Sequence, residues 1–121
     1  MRPEERDPAH LWDMLEAARA IARFCERKEF EDYRHEDLLR AAVERQFILV
    51  GEAARRLSEA IRTSHEGIPW RRIIGLRNVL IHRYEEIDDE LMWQRIQQEI
   101  PKLIRDLTPL VPEPPDTPRE S

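Results

Sequence analysis

The sequence predicts an all-α protein, a four-helix bundle of the up-and-down type. Glycine occurs only three times, whereas residues that favour helices, such as Ala, Leu, Glu and Arg, are abundant. In four segments the apolar residues recur every three to four positions, which is the spacing of one buried helix face. A chain of 121 residues can bury one core without disulfides or structural metals.

The first predicted helix begins with Asp7 as its N-cap and Pro8 as its first helical residue. Its apolar positions recur through residues 11–25, and we expect the helix to end near Lys28. A polar connection around residues 30–34 then separates it from the next helix.

The second predicted helix runs from about residue 36 to residue 62, because the helical period holds across that whole range. At ~1.5 Å per residue it would be about 40 Å long and would form the spine of the bundle. Gly51 lies in its middle, where glycine costs about 1 kcal/mol relative to alanine. We therefore expect another helix to approach closely at this point.

Proline and N-cap residues indicate where the third and fourth helices begin. Residues 63–67 are predicted to form a loop, and Pro69 to start the third helix. A break is expected at residues 84–87, after which Asp88 is a plausible N-cap for the fourth helix. Pro101 lies inside that last helix and should kink it or divide it in two.

The sequence divides into one helical domain and a short tail. The domain is predicted to span residues 1–107. Residues 108–121 contain five prolines and few apolar residues, so the sequence predicts a disordered tail.

Composition and charge exclude several classes of protein. The formal charge of −5 argues against a constitutive, non-specific nucleic-acid binder. The single cysteine, Cys25, cannot form an intramolecular disulfide, which fits a reducing cytoplasm. No apolar run reaches the ~20 residues of a membrane span, and the N-terminus lacks the apolar stretch of a signal peptide. We therefore expect a cytoplasmic protein without a membrane partner.

One short basic stretch interrupts this acidic background. Thirteen consecutive residues contain no acid but include Arg71, Arg72, Arg77, His82 and Arg83. Such a local patch suits the binding of one or two phosphates, and it is too short to form a long nucleic-acid track.

The densest polar group within this otherwise apolar helix consists of Arg77, Asn78, His82 and Tyr84. Cleavage of a phosphodiester needs a group that exchanges protons near neutral pH, which histidine supplies, and a fixed positive charge, which arginine supplies. An RNA 2′-hydroxyl can act as an internal nucleophile, so this chemistry requires no cofactor and no metal. The same residues also admit a purely structural interpretation as solvated charges, a helix-terminal histidine and a packing tyrosine.

Helix geometry limits how these side chains can meet. Asn78 and His82 are four residues apart and share one helix face. Arg77 and His82 are five residues apart and diverge by roughly 140° on a regular helix. They converge within one chain only if the helix end unwinds or the arginine reaches around it. Alternatively, a two-fold axis brings the segments of two subunits into a shared cleft.

The segment IPWRRIIGLRNVLIHRY at residues 68–84, followed by Ile87-Asp88, closely resembles the HepT-like branch of the HEPN superfamily. Upstream, ILVGEAARRLS at residues 48–58 is similar to the second-helix pattern of that family. Downstream, Trp93 and the segment at residues 100–103 match in kind and order. The resemblance covers roughly residues 8–107.

This resemblance implies a metal-independent endoribonuclease that works as a homodimer, the toxin of a two-gene toxin–antitoxin module of type II or VII. Its partner would be a small MNT-type nucleotidyltransferase antitoxin. By motif position, Arg77 would bind the scissile phosphate, and His82 would act as general base or acid. Asn78 would orient the phosphate or the histidine, and Arg83 adds a cation where many relatives carry an acid. Tyr84 would be the AMPylation site at which the antitoxin attaches AMP.

Two other functions remain open. One makes the chain a non-catalytic binding partner and AMP-acceptor subunit of a minimal nucleotidyltransferase, and the other makes it a helical adaptor. His35 and His65, each followed by acidic residues, are interpreted as capping or solvated residues and not as metal ligands. The three tryptophans are interpreted as packing anchors and not as base-stacking platforms.

Overall fold

The computed structural model describes residues 2–112, and this part of the chain is built from helices without a strand, which confirms the all-α class. The α-helices are α1 Pro3–Phe24, α2 Phe30–His35, α3 Asp37–Arg56, α4 Glu59–Ser64, α5 Trp70–His82, α6 Asp89–Gln94 and α7 Ile100–Leu107. A π-helical turn at Arg95–Glu99 joins α6 to α7, and 3-10 turns lie at Tyr84–Glu86 and Thr108–Leu110.

The bundle is made of α1, α3, α5 and the composite helix α6–α7. Helix α1 packs against α3 and α7, and α3 packs on its other side against α5. The core is apolar and draws on every long helix; its fully buried large side chains are Tyr33, Met14, Leu15, Ile21, Met92, Ile100, Leu107, Val43 and Val50. Helix α3 is therefore the spine of the fold, and α5 lies on its outer side.

The predicted start of the first helix is wrong. Helix α1 begins at Pro3, so Pro8 lies inside the helix and Asp7 is not its N-cap. A proline so close to the start removes only one backbone hydrogen bond, which the helix tolerates. The helix also ends earlier than predicted, at Phe24, and the turn that follows places Arg27 at a φ of 61°.

The predicted second helix is divided. Helix α3 ends at Arg56, Leu57 adopts an extended conformation, and Ser58 starts the separate helix α4. The buried Asp7 carboxylate accepts hydrogen bonds from the Ser58 backbone N–H at 2.8 Å and from its hydroxyl at 2.6 Å. The tertiary contact with α1 thus stabilises a break that local helical periodicity could not reveal.

The two predicted connections are partly wrong. Residues 63 and 64 of the loop predicted at residues 63–67 belong to α4. Residues 30–34 are helical, as part of α2, where a connection was predicted. The Asp88 side chain caps α6 by accepting a hydrogen bond from the Glu90 backbone N–H at 2.9 Å, as predicted. The composite helix continues through Pro101, and the π-helical turn that precedes this proline interrupts the α-helical pattern.

The predicted tail lies mostly outside the described residues. Of residues 108–121, the structure describes residues 108–112, in which Leu110 and Val111 pack against the core. The predicted boundary at residue 107 and the predicted disorder stay predictions. Within the described part of the chain, no helix combines the length and the apolar character needed to cross a bilayer.

Candidate active site

Helix α5 carries the predicted site residues along its last two turns. Arg77 and Asn78 lie in the helix interior and are half-buried, whereas His82 is its last residue and is exposed. Arg83 follows as the C-cap, and Tyr84 begins the 3-10 turn. The five residues therefore share one local segment but lie in two different environments.

A close approach between α3 and α5 fixes the Arg77 end. A Cβ atom added at Gly51 would lie 2.2 Å from the Arg77 Cβ, 2.9 Å from its Cγ and 3.2 Å from the Ile73 carbonyl oxygen. Only glycine leaves room for this arrangement without moving the backbone of α5. The expected close helix approach at Gly51 is therefore confirmed, and its partner is the stem of Arg77.

The Arg77 guanidinium is held by two neighbouring side chains. Its Nε donates a hydrogen bond to Glu52 Oε1 at 2.8 Å, and its Nη2 donates to the same oxygen. Its Nη1 donates to Asn78 Oδ1 at 2.8 Å. The Arg77 and Glu52 side chains are only 15% and 22% exposed. The arginine thus lies in a fixed direction instead of extending freely into solvent.

Glu52 is surrounded by positive charge. Its Oε2 lies 3.4 Å from Arg55 Nη2 and 3.7 Å from Arg56 Nη2. The hydrogen bond from Arg77 lowers the pKa of the Glu52 carboxyl, partial desolvation opposes this effect, and the charges of Arg77 and Arg55 lower the pKa further. Glu52 is therefore ionised at neutral pH and compensates the charge of Arg77.

The C-terminal end of α5 is open to solvent. His82 and Arg83 are exposed, and Tyr84 is 65% exposed. Arg83 Nε lies 3.7 Å from Glu86 Oε2 in an exposed ion pair. Within residues 2–112, no hydrogen bond or ion pair engages the side chains of His82 and Tyr84. This end of the helix consequently leaves its polar side chains accessible to a ligand.

The helix remains regular between these two ends. Helix α5 is α-helical up to His82, and the Arg83 N–H still bonds to the Val79 carbonyl at 2.9 Å. The Arg77 and His82 side chains therefore leave the helix axis roughly 140° apart. Arg77 also turns towards α3, since Glu52 holds its guanidinium. The described chain does not bring the two predicted catalytic side chains together by unwinding the helix.

Three of the other sequence candidates, His35, Trp70 and Trp93, have structural partners, whereas Trp12 is 36% exposed. His35 Nε2 lies 3.2 Å from Glu31 Oε2 on the surface of α2. The Trp70 indole is buried and donates to the His65 carbonyl at 3.0 Å, and Trp93 lies with its ring centroid 5.6 Å from that of Tyr33. Among residues 2–112, no group of three or more His, Cys, Asp or Glu side chains is arranged to hold a metal ion.

Glu52 is the site residue that sequence reasoning missed. The sequence predicts a close helix approach at Gly51, which the structure confirms, but this prediction overlooks the acid beside that glycine. An acidic residue between small residues, on a helix face that approaches another helix, was the available signal. It could have indicated a buried partner for an arginine.

The Arg77 guanidinium retains two N–H groups, one on each Nη atom, since Glu52 and Asn78 engage three of its five. These two can bind an anionic oxygen such as one of a phosphate. His82 presents an imidazole, a group that can act as general base or acid, at the exposed end of the helix. The arrangement therefore supplies the charge and the proton-transfer group that phosphodiester cleavage requires, on two sides of one helix.

The fold and this segment define a class: small all-α bundles of the HEPN type, in which one helix carries the motif Arg-x-x-x-x-His. Comparison with known proteins identifies the family. The family described as "Ribonuclease HepT-like" matches residues 14–110, and the chain belongs to that family.

Individual relatives agree with this assignment. A provisionally named RNase of Methanocaldococcus jannaschii is 32% identical over 99 residues, which cover 82% of this chain and 91% of the relative. A protein of Thermococcus cleftensis, provisionally named ribonuclease HepT, is 32% identical over 78% of this chain and 86% of its own length. A provisionally named RNase of Caldanaerobacter subterraneus is 36% identical over 61% of this chain and 66% of its own length. No solved structure gives a significant match. Family membership supports an RNase activity in general terms.

Proposed function

We propose that the chain is the toxin of a two-gene toxin–antitoxin module and acts as a metal-independent endoribonuclease with Arg77 and His82 as catalytic residues. The observation that carries the proposal is the contrast along α5. A cation held by Glu52 and Asn78 and an exposed histidine without a described partner lie on one helix of a HepT-like ribonuclease fold.

The chemistry follows from these two side chains. His82 takes the proton of the RNA 2′-hydroxyl, whose oxygen then attacks the adjacent phosphorus. Arg77 stabilises the negative charge that develops on the phosphorane oxygens. The bond to the 5′-oxygen breaks, and this oxygen takes a proton from water, which leaves a 2′,3′-cyclic phosphate and a 5′-hydroxyl. The 2′-hydroxyl is the nucleophile, so the reaction needs no metal-bound hydroxide.

Asn78 and Arg83 have supporting roles in this proposal. Asn78 accepts a hydrogen bond from Arg77 at 2.8 Å, so its contribution is to orient the arginine. The sequence had suggested instead that Asn78 orients the phosphate or His82. Arg83 is exposed beside His82 and adds a second cation for the RNA backbone.

We propose further that the active form is a homodimer with a shared cleft. The regular geometry of α5 supports this, because it directs Arg77 and His82 away from each other within one chain. Ile81, which lies between them on the helix, is 41% exposed and offers an apolar contact for a second copy. A two-fold axis would set Arg77 of one chain beside His82 of the partner subunit.

Tyr84 is proposed as the AMPylation site for neutralisation by an MNT-type nucleotidyltransferase. Its exposure leaves the phenol accessible to a modifying enzyme. An added AMP would place a negative charge two residues from His82, where it would repel RNA phosphates. The same accessibility also favours the alternative function, in which the chain is a non-catalytic AMP acceptor.

The decisive experiment incubates the purified protein with RNA in EDTA and analyses the ends of the fragments. We expect cleavage with 2′,3′-cyclic phosphate ends, which His82→Ala abolishes while the circular dichroism stays helical. His35→Ala is the matched control, because His35 is an exposed histidine distant in sequence, and it should retain activity. Cleavage by His82→Ala at the native rate would contradict the proposal.

The shared cleft has its own test, which mixes two inactive variants. If Arg77 and His82 of a site come from different chains, a heterodimer of Arg77→Ala and His82→Ala contains one intact site of two. A random mixture should then recover about a quarter of the native activity, since about half of the dimers are mixed. No recovery from subunits shown to exchange would assign each site to a single chain.

The role of Tyr84 is tested by incubation with ATP and a nucleotidyltransferase encoded beside this chain. We expect an AMP adduct on the native protein and none on Tyr84→Phe. Modification of native protein that has no RNase activity at any stage would favour the AMP-acceptor function instead.

A further inference from the structure

We propose that Glu52 is a positioning residue of the RNase site, and that its carboxylate holds the Nε side of the Arg77 guanidinium so that the remaining N–H groups face the substrate phosphate. This inference rests on the proposed function and deepens it. No functional role had been expected for Glu52 from the sequence.

The hydrogen bonds of the Arg77 guanidinium are concentrated on its Nε side. Glu52 Oε1 accepts hydrogen bonds from Nε and from Nη2, and Asn78 accepts one from Nη1. The two N–H groups that remain are at the tip of the side chain, one on each Nη atom. A phosphate therefore meets an arginine whose direction is already fixed, so the guanidinium needs no reorientation in the transition state.

Glu52 is itself held in place. Its second oxygen lies near Arg55 Nη2, at 3.4 Å, and Gly51 beside it is in contact with the Arg77 stem. The Glu52–Arg77 pair is also less exposed than a surface pair on one helix, such as Arg19–Glu16, whose side chains are 41% and 42% exposed. The contact between α3 and α5 thus fixes the positions of both side chains of the pair.

The negative charge of Glu52 has a second consequence. It offsets the charge of Arg77 before substrate binds, so it does not strengthen binding of RNA in the ground state. Its benefit lies in orientation at the transition state. Removing Glu52 should therefore lower kcat per folded molecule and leave KM unchanged or lower. Because loss of folded protein also lowers the apparent kcat at constant KM, kcat is normalised to the folded fraction measured by circular dichroism.

The test measures kcat and KM on RNA for Glu52→Ala and Glu52→Gln. We expect kcat to fall about 100-fold in Glu52→Ala, the effect of a misplaced catalytic group, with KM unchanged or lower. Glu52→Gln keeps one acceptor oxygen for Arg77 and should lose only about tenfold in kcat. A native kcat in Glu52→Ala would overturn the proposal.

Glu99→Gln is the matched control. Glu99 is 26% exposed and pairs with two arginines, Arg72 at 2.6 Å and Arg95 at 3.2 Å, but neither of its ion pairs involves Arg77 or α3. It should retain native kcat even if it loses some stability. An equal loss of kcat in Glu99→Gln and Glu52→Gln would reduce Glu52 to a structural role and overturn the proposal.

A readout that is independent of cleavage separates this proposal from the RNase function itself. The Arg77 Nε–H signal in ¹H–¹⁵N NMR should exchange slowly with water in the native protein and rapidly in Glu52→Ala. If native protein cleaves no RNA, the proposed function fails, and the exchange rate of this signal still decides whether Glu52 holds the Arg77 guanidinium. Slow exchange in Glu52→Ala would overturn the proposal whether or not the native protein cleaves RNA.

Discussion

The two ends of the Arg-x-x-x-x-His segment differ in their packing, their hydrogen bonds and their exposure to solvent. At Arg77, another helix approaches so closely that only glycine fits, and two side chains hold the guanidinium. At His82, the helix ends in solvent, and no described hydrogen bond or ion pair engages the imidazole. The cation is thus built into the tertiary structure, and the histidine is presented at its surface.

Because of this difference, the two motif residues of one helix should contribute differently to the stability of the fold and to the reaction. Arg77 contributes to the contact between α3 and α5, so its replacement must affect stability as well as any reaction. His82 contributes little to packing, so its replacement should affect the reaction alone. The second chain, which we propose as the other half of the site, would contact this exposed end.

The largest effect should come from comparing Arg77→Ala with His82→Ala. Each should reduce RNA cleavage by about 10²–10⁴-fold, as expected for loss of a charge stabiliser or a proton-transfer group. Only Arg77→Ala should also destabilise the fold, by about 1–3 kcal/mol, because it leaves the half-buried Glu52 carboxylate without its partner. His82→Ala should stay within about 0.5 kcal/mol of the native protein in urea unfolding. Equal destabilisation by both would remove the distinction between the two ends.

The close helix approach can be tested with two glycines. Gly51→Ala should lower the free energy of unfolding by about 1–3 kcal/mol, because the new Cβ would collide with the stem of Arg77 and a backbone oxygen. Gly75, in α5, has no atom within 4 Å of an added Cβ. Gly75→Ala should therefore gain up to about 1 kcal/mol from helix propensity. A neutral Gly51→Ala would mean that α5 can move away from α3 at little cost.

The Glu52–Arg77 pair should give stability a dependence on pH. The folded pKa of Glu52 is lower than its ordinary value of 4.5, so the carboxylate stabilises the fold above that pH. This contribution is lost as the pH falls through the lowered pKa. The difference in stability between native protein and Glu52→Gln should be about 1 kcal/mol or less at pH 7 and should vanish in acid. A difference that grows as the pH falls would contradict this assignment.

The smallest effect concerns the two tyrosines. Tyr84 is 65% exposed, whereas Tyr33 is 0% exposed and burial raises the pKa of its phenol. Mild acylation with N-acetylimidazole should therefore modify one tyrosine, measured by mass spectrometry, without changing stability. Tyr84→Phe should remove this modification, and Tyr33→Phe should not. Modification of Tyr33 in the folded protein would show that the core opens readily.

Local sequence patterns predicted the presence of the helices better than the residues at which the helices begin and end. The periodicity of apolar residues identified the four main helical segments, because a buried face repeats with the helix turn. The same pattern ran through Leu57 and Ser58, where the chain in fact leaves the helix. The break depends on the Asp7 carboxylate, 51 residues away, and no local pattern carries that information.

The candidate site likewise contains residues that the sequence identified and one residue that it did not. Arg77, Asn78, His82, Arg83 and Tyr84 could be selected from the sequence, because their spacing and chemistry stand out in an apolar helix and match a known family. Their catalytic and modification roles stay predictions. The acceptor for Arg77 was missed, since Glu52 is separated from it by 25 residues and only its place beside Gly51 distinguishes it from the many other acids of the chain.

The sequence alone therefore determined the all-α class, the helical periods and the family, because each depends on residues that are neighbours along the chain or in a motif. Only the tertiary structure decided that Arg77 is held and His82 is not. That distinction depends on which residue of α3 lies opposite α5. The packing of Gly51 against the Arg77 stem, with Glu52 beside it, provides the physical reason.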